Sequence, residues 1–267
     1  YNHPKMLFIR FLGSFFLSIF AYLGSLLSLA QETVCSMVKA PIRWRLVLRQ
    51  ILEVGYRSQL VVLVTGAFTG AVFGAQTYFQ FHRISMETAV GAVVSVSMFR
   101  ELGPVLTGLM VAGRVGAAMS AEIGTMKVTE QIDALRALGV HPVDYLVVPR
   151  VLAMLVSMPL LVAECVGIGI LAGMFVVVHL LDVPQVYYVD YMIKFTGARD
   201  IKMALTKGFV FGLIVVLIAC REGLEAREGA VGVGRATTES VVIGSLVILI
   251  VNFFLTMVLN IFYPAGV

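Results

Sequence analysis

The sequence predicts an all-α membrane protein, with five transmembrane helices preceded by an N-terminal interfacial helix, one short helix in a cytoplasmic connection and another on the outer surface. Three observations carry this expectation. Of 267 residues, 59% are hydrophobic and 13% charged, against roughly 25% charged in an average soluble domain. Several apolar stretches each run about 20 residues or more, enough to cross a hydrocarbon core about 30 Å thick. Lys and Arg collect in alternate connections between those stretches, as the positive-inside rule requires. The mean hydropathy of +0.94 excludes a water-soluble fold.

The first element, Met6 to Ala30, is long and apolar, but Arg10, Ser14, Ser18, Tyr22, Ser25 and Ser28 recur at three- and four-residue steps. That spacing lays a weakly polar stripe along a helix, a pattern suited to the membrane interface. The firm spans are Tyr56 to Phe79, Met86 to Met119, Val147 to Val178, Ala204 to Cys220 and Val241 to Phe262. Residues 1–55 therefore form an interfacial N-terminal region and residues 56–262 a five-helix transmembrane region of one domain. Lys39, Arg43, Arg45, Arg49 and Arg57 precede the first span; Arg114, Lys127, Arg136 and Arg150 fall in the 114–150 connection; Arg221, Arg227 and Arg235 fall in the 221–240 connection. These three regions share one side, cytoplasmic by the rule, which puts the N-terminus inside and Val267 outside. In the outer 179–203 connection, Pro184 followed by Val186, Tyr187, Tyr188, Val189, Tyr191 and Ile193 reads as a short amphipathic helix on the surface.

Between the second and third spans, Glu122 to Gly139 reads as a short amphipathic helix. Glu130 and Asp133 lie early, Arg136 late, and Gly139 and Pro142 mark the stop. Val128, Ile132, Leu135 and Leu138 share its apolar face. Such a helix either lies on its own membrane domain or fills a groove on a partner.

Inside the first span, Gly66, Gly70 and Gly74 form two overlapping GxxxG patterns, which let helix backbones approach closely. The contact is either internal to the chain or between subunits. The second span carries Arg100 and Glu101 about halfway along, followed by Pro104, which removes a backbone donor and opens the helix locally. Ionisable groups at that depth face protein, water or a polar ligand group rather than lipid. Arg100, about 14 residues into its span from outside, and Glu164, about 14 residues into the third from inside, reach a similar depth of about 20 Å. The pattern predicts an ion pair between Arg100 and Glu164, with Glu101 on another face.

Other chemistry finds little support. Cys35, Cys165 and Cys220, with His3, His82, His141 and His179, make no metal-ligand spacing, so no metal and no cofactor is expected. Gly229 to Gly234 approximates a phosphate-binding loop, but Arg235 and Ala236 replace its Lys and hydroxyl residue. No nucleophile-and-base set is present. The net charge of +4 fits membrane orientation and not nucleic acid. A secondary transporter would show inverted repeats, and none is visible.

The stretches Arg49-Gln-Ile-Leu-Glu-Val-Gly55, Arg100-Glu-Leu-Gly-Pro104, Ala112-Gly-Arg-Val-Gly116, Ala121-Glu-Ile-Gly124, Thr129-Glu-Gln131 and Gly234-Arg-Ala-Thr-Thr238 resemble the MlaE/YrbE permeases of MCE-associated ABC lipid transporters, over nearly the whole chain. The resemblance implies a homodimer in the bacterial inner membrane that moves phospholipid, without enzymatic activity of its own. It implies a cytoplasmic ABC ATPase dimer, a STAS-domain subunit and a periplasmic ring of MCE-domain proteins as partners. Glu122, Thr129, Glu130, Asp133 and Arg136 would then form the coupling region for the ATPase. Arg100, Glu101, Phe73, Tyr78 and Phe81 would line or support the lipid cavity. Glu164 departs from the family pattern, and a relative carries an acidic residue where Asn252 stands here.

Overall fold

The computed structural model describes residues 4–39 and 41–263; Val267, expected on the outer side, lies outside the described residues. Eleven α-helices cover almost all of that stretch. They are α1 (Pro4–Lys39), α2 (Trp44–Val54), α3 (Gln59–His82), α4 (Val90–Ser97), α5 (Gly103–Val111), α6 (Ala117–Val128), α7 (Gln131–Ala137), α8 (Val148–Phe175), α9 (Gln185–Phe195), α10 (Ala198–Glu225) and α11 (Gly229–Phe262). Among the described residues, six helical stretches are long and apolar enough to cross a membrane, the first being Leu17–Lys39.

The second crossing is built from α4, α5 and α6, joined without a turn through two π-helical stretches, Met98–Leu102 and Ala112–Gly116. Each π stretch squeezes an extra residue into a turn and so rotates the helix beyond it, and each contains an arginine. π-Bulges of this kind concentrate at functional positions.

Close backbone packing sets the bundle. Along α3, Gly66, Gly70 and Gly74 face Cys165, Gly169 and Gly173 of α8. A Cβ on Gly70 would overlap the Gly169 backbone. Small residues on both helices thus allow the two to touch, which is how helices associate where lipid supplies no hydrophobic drive. The GxxxG repeat is consumed within the chain. α10 closes the other side of α8, with Gly208 against Pro159 and Gly212 against Met158.

Two apolar clusters fill the interior. One, in the half nearer the basic connections, includes Val62, Met154, Phe211 and Ile248. The other, towards the opposite end, gathers Val90, Met98, Val162, Val177 and Tyr188. α11 has most of its apolar side chains exposed, Leu246, Phe253, Phe254 and Ile261 among them.

Two elements depart from expectation. The helix expected over 122–139 is divided: residues up to Val128 continue α6, and α7 starts afresh after Glu130, whose φ of 61° breaks the helix. Ile132 of α7 is fully buried and Leu138 is exposed. Likewise α9 does not lie flat on the outer surface. Tyr188 is buried against Gly91, and the Thr196 hydroxyl is 2.7 Å from that of Ser95. α9 therefore descends alongside α4, so α10 begins part of the way into the bundle.

Candidate functional site

The descent of α9 decides which charges meet. Since α10 begins at the depth of the first π stretch, Asp200 in its first turn reaches Arg100: Nε donates to Oδ1 at 2.6 Å. Asp200 is almost fully buried and also caps α10, its Oδ2 accepting from the Gly197 N–H at 3.0 Å. The expected Arg100–Glu164 pair is not formed. The depth count behind it compares only the second and third spans, and residues 179–203, Asp200 among them, read as an outer connection. Glu164 stands on the outer flank of α8 beside exposed Ala163 and Gly167, and no ion pair reaches it among the described residues.

Glu101 points the other way, towards α11. Asn252 Nδ2 donates to its Oε2 at 2.9 Å, and the Thr256 hydroxyl lies 3.0 Å from its Oε1. Lys207, wholly buried in α10, completes the group with Nζ 2.9 Å from Glu101 Oε2 and 2.8 Å from Thr256 Oγ1. Its third contact is the Arg100 carbonyl, at 2.5 Å. In a regular helix that carbonyl would accept from the N–H of residue 104. Residue 104 is proline, so the acceptor is vacant and Lys207 takes it. Pro104, the π stretch and the buried lysine are parts of one arrangement.

The result is a charge-balanced cluster inside the bundle, Arg100 and Lys207 against Glu101 and Asp200, carried on two helices, with Asn252 and Thr256 of α11 as its uncharged hydrogen-bond partners. Pairing offsets most of the cost of ions in a low-dielectric interior. Yet the Glu101 side chain keeps 40% of its surface exposed and that of Arg100 32%, while Lys207 and Asp200 are closed off. Glu101 and Arg100 are thus open to a polar visitor and held by the two that are not.

The aromatic residues expected to supply apolar wall near the outer end of the first span lie at that end. Phe73, Tyr78 and Phe81 pack around the apolar cluster towards the end opposite the basic connections. Phe73 also lines a groove of about 430 Å³ with Phe68, Val72, Gln76 and Leu102. Leu102 touches that groove whereas Glu101 turns to α11, so within one chain the groove and the polar patch occupy different flanks of the second crossing.

In the basic connection, Glu122 is bound to Arg150, Nη2 donating to Oε2 at 2.6 Å. Asp133 joins Arg136 at 2.9 Å and Lys127 at 3.5 Å, and the Thr129 hydroxyl bonds the Thr125 carbonyl. Glu130, Asp133 and Arg136 form the exposed tip around α7, with Glu122 behind them as a brace.

Sequence reasoning missed Asp200, Lys207 and Thr256. Lys207 was the available signal: a lysine inside an otherwise apolar span requires a partner.

The chain matches the MlaE permease family over residues 47–258. It is 44% identical over 249 residues to a probable ABC transporter permease protein of Rickettsia conorii, covering 93% of this chain and 92% of that one. A probable ABC transporter permease protein of Synechocystis is 40% identical over 85% of this chain and 87% of its own. The chloroplastic Arabidopsis protein trigalactosyldiacylglycerol 1 is 36% identical over 85% of this chain and 65% of its own.

Proposed function

This chain belongs to the MlaE permease family and is a multi-pass transmembrane permease subunit of an ABC transporter, and from that premise we propose that it moves phospholipids between the bacterial inner membrane and a periplasmic MCE protein, toward or from the outer membrane. The observation that carries the reading is the half-open charge cluster. Its exposed Glu101 and Arg100 offer a carboxylate and a guanidinium to a zwitterionic or anionic headgroup at a depth where only acyl chains otherwise sit. The name of the Arabidopsis relative, that of a galactolipid, supports a lipid substrate in the broader sense. The subunit works as a homodimer, with the aromatic groove of Phe73 supplying apolar wall to the lipid path.

Energy enters from an ATPase dimer, with a STAS-domain subunit on it, docked at the α7 tip through Glu130, Asp133 and Arg136. The phosphate-loop lookalike supports this division of labour, because residues 229–238 lie within α11 and form no loop. The test is reconstitution with the ATPase and MCE subunits in liposomes. ATP-dependent transfer of labelled phospholipid is expected, falling at least tenfold with Glu101→Ala. Transfer driven by an ion gradient without ATP would instead favour a secondary transporter of an amphipathic substrate.

A further inference from the structure

A second polar site lies at the basic end of the bundle, well away from the charge cluster. Between α2 and the second crossing, a cavity of about 290 Å³ is lined by Arg49, Glu53, Arg114, Met119 and Glu122. A smaller hollow of about 210 Å³ adjoins it, sharing Arg49 and Glu122 and reaching Arg150.

The charges here are unevenly committed. Glu53 is paired with Arg57 at 2.8 Å and Glu122 with Arg150 at 2.6 Å. Arg114, swung round by the second π stretch, donates to the Ser58 hydroxyl at 2.6 Å and to the Glu53 carbonyl at 3.4 Å, both uncharged acceptors. Arg49 has no ion pair among the described residues. Arg150 is 4% exposed, and its buried Nε has no hydrogen-bond partner. Two guanidinium groups without a carboxylate of their own therefore line the larger hollow, and Arg150, held by Glu122, lines the smaller one beside it.

The opposite face of α2 gives the depth. Trp44, Leu48, Leu52 and Tyr56 are all more than half exposed and recur every four residues, one apolar ridge with an aromatic at each end. Ridges of this kind lie along acyl chains at the interface, with aromatic ends at headgroup level. The ridge thus puts α2, and the cavity on its other side, at the level where phosphates sit.

We propose that Arg49 and Arg114, backed by Arg150, bind the phosphate of an anionic phospholipid resident in the leaflet at the basic end. Guanidinium forks match phosphate oxygens in pairs, and basic pockets between membrane helices on this side take anionic headgroups. The site goes beyond the transport reading and does not depend on it.

The test uses the full-length protein in phosphatidylcholine nanodiscs doped with phosphatidylglycerol, with retained lipid read by native mass spectrometry. The wild type should retain phosphatidylglycerol in preference to phosphatidylcholine. Arg49→Gln with Arg114→Gln should lower that retention roughly tenfold or more. Glu53→Gln, which removes a lining carboxylate, should raise it, an outcome misfolding does not mimic. No preference in the wild type, or retention unmoved by the arginine replacements in folded protein, overturns the proposal. Displacement by inorganic phosphate at comparable concentration would make this a soluble-anion site and overturn the lipid assignment. Retention that responds to Glu101→Gln and not to Arg49 or Arg114 overturns this site while leaving the transport reading standing.

Discussion

Asp200 carries two duties that a single substitution can separate. It caps α10 through the Gly197 N–H and neutralises Arg100. Asp200→Asn retains an oxygen for the cap and loses only the charge; Asp200→Ala loses both, and a lost cap alone costs about 1 kcal/mol. The alanine variant should therefore unfold more readily in detergent than the asparagine variant. Coupling should show in a cycle: Arg100→Met with Asp200→Asn should deviate from additivity by about 1–3 kcal/mol, whereas Arg100→Met with Glu164→Gln should add to within about 0.5 kcal/mol. Equal behaviour of the two cycles would remove Asp200 as the counterion. Arg100 and Glu101 were legible as charges that need partners inside the bundle because adjacent ionisable residues in an apolar span are so costly. Their partners were not, because residues about 100 positions apart in sequence meet only through the descent of α9, for which no local pattern exists.

At the scale of elements, hydrophobic length located the crossings and glycine spacing located a contact, but neither specified the partner helix. α3 meets α8 through small residues on both sides, and only the α3 half reads as a motif; Cys165, Gly169 and Gly173 are the complementary half. The pairing makes Gly70 and Gly167 opposite cases on neighbouring helices. A Cβ at Gly70 has no room, while one at Gly167 meets nothing within 4 Å. Gly70→Ala should destabilise the protein by about 1–3 kcal/mol through forced separation of α3 and α8. Gly167→Ala should leave the thermal midpoint unchanged or slightly higher, since alanine is the better helix former by about 1 kcal/mol. A Gly70→Ala protein with wild-type stability would mean that the two helices are not held at this distance. The division of 122–139 into α6 and α7 was hidden for another reason. Its apolar periodicity runs unbroken across Thr129 and Glu130, so nothing in the pattern announces a left-handed residue.

For the whole molecule, the path of α1 decides how many times the chain crosses the membrane. α1 is one continuous helix of 36 residues, about 54 Å long at 1.5 Å per residue, against a hydrocarbon core about 30 Å thick. Its attachments lie at one end of the bundle. The Tyr22 hydroxyl donates to Glu222 at 2.7 Å, Arg221 stacks over the Tyr22 ring at 3.8 Å and donates to Ser25, and Glu32 lies 3.2 Å from His141. Residues 221–222 end α10 and residue 141 precedes α8, both at the basic end. From Tyr22 to Glu32 a helix advances about 15 Å, half the core thickness, yet both ends of that stretch stay beside the same end of the bundle. A helix crossing the membrane would have carried Glu32 to mid-depth. α1 accordingly lies across the ends of α8 and α10 at the basic end of the bundle, and the expectation that follows is five crossings with the N-terminus cytoplasmic and the C-terminus periplasmic. An epitope tag at the N-terminus and a reporter at Arg227 should fall on the cytoplasmic side, and a periplasm-active reporter fused after the last span should be active. An N-terminal tag reachable only from outside would make α1 a sixth crossing.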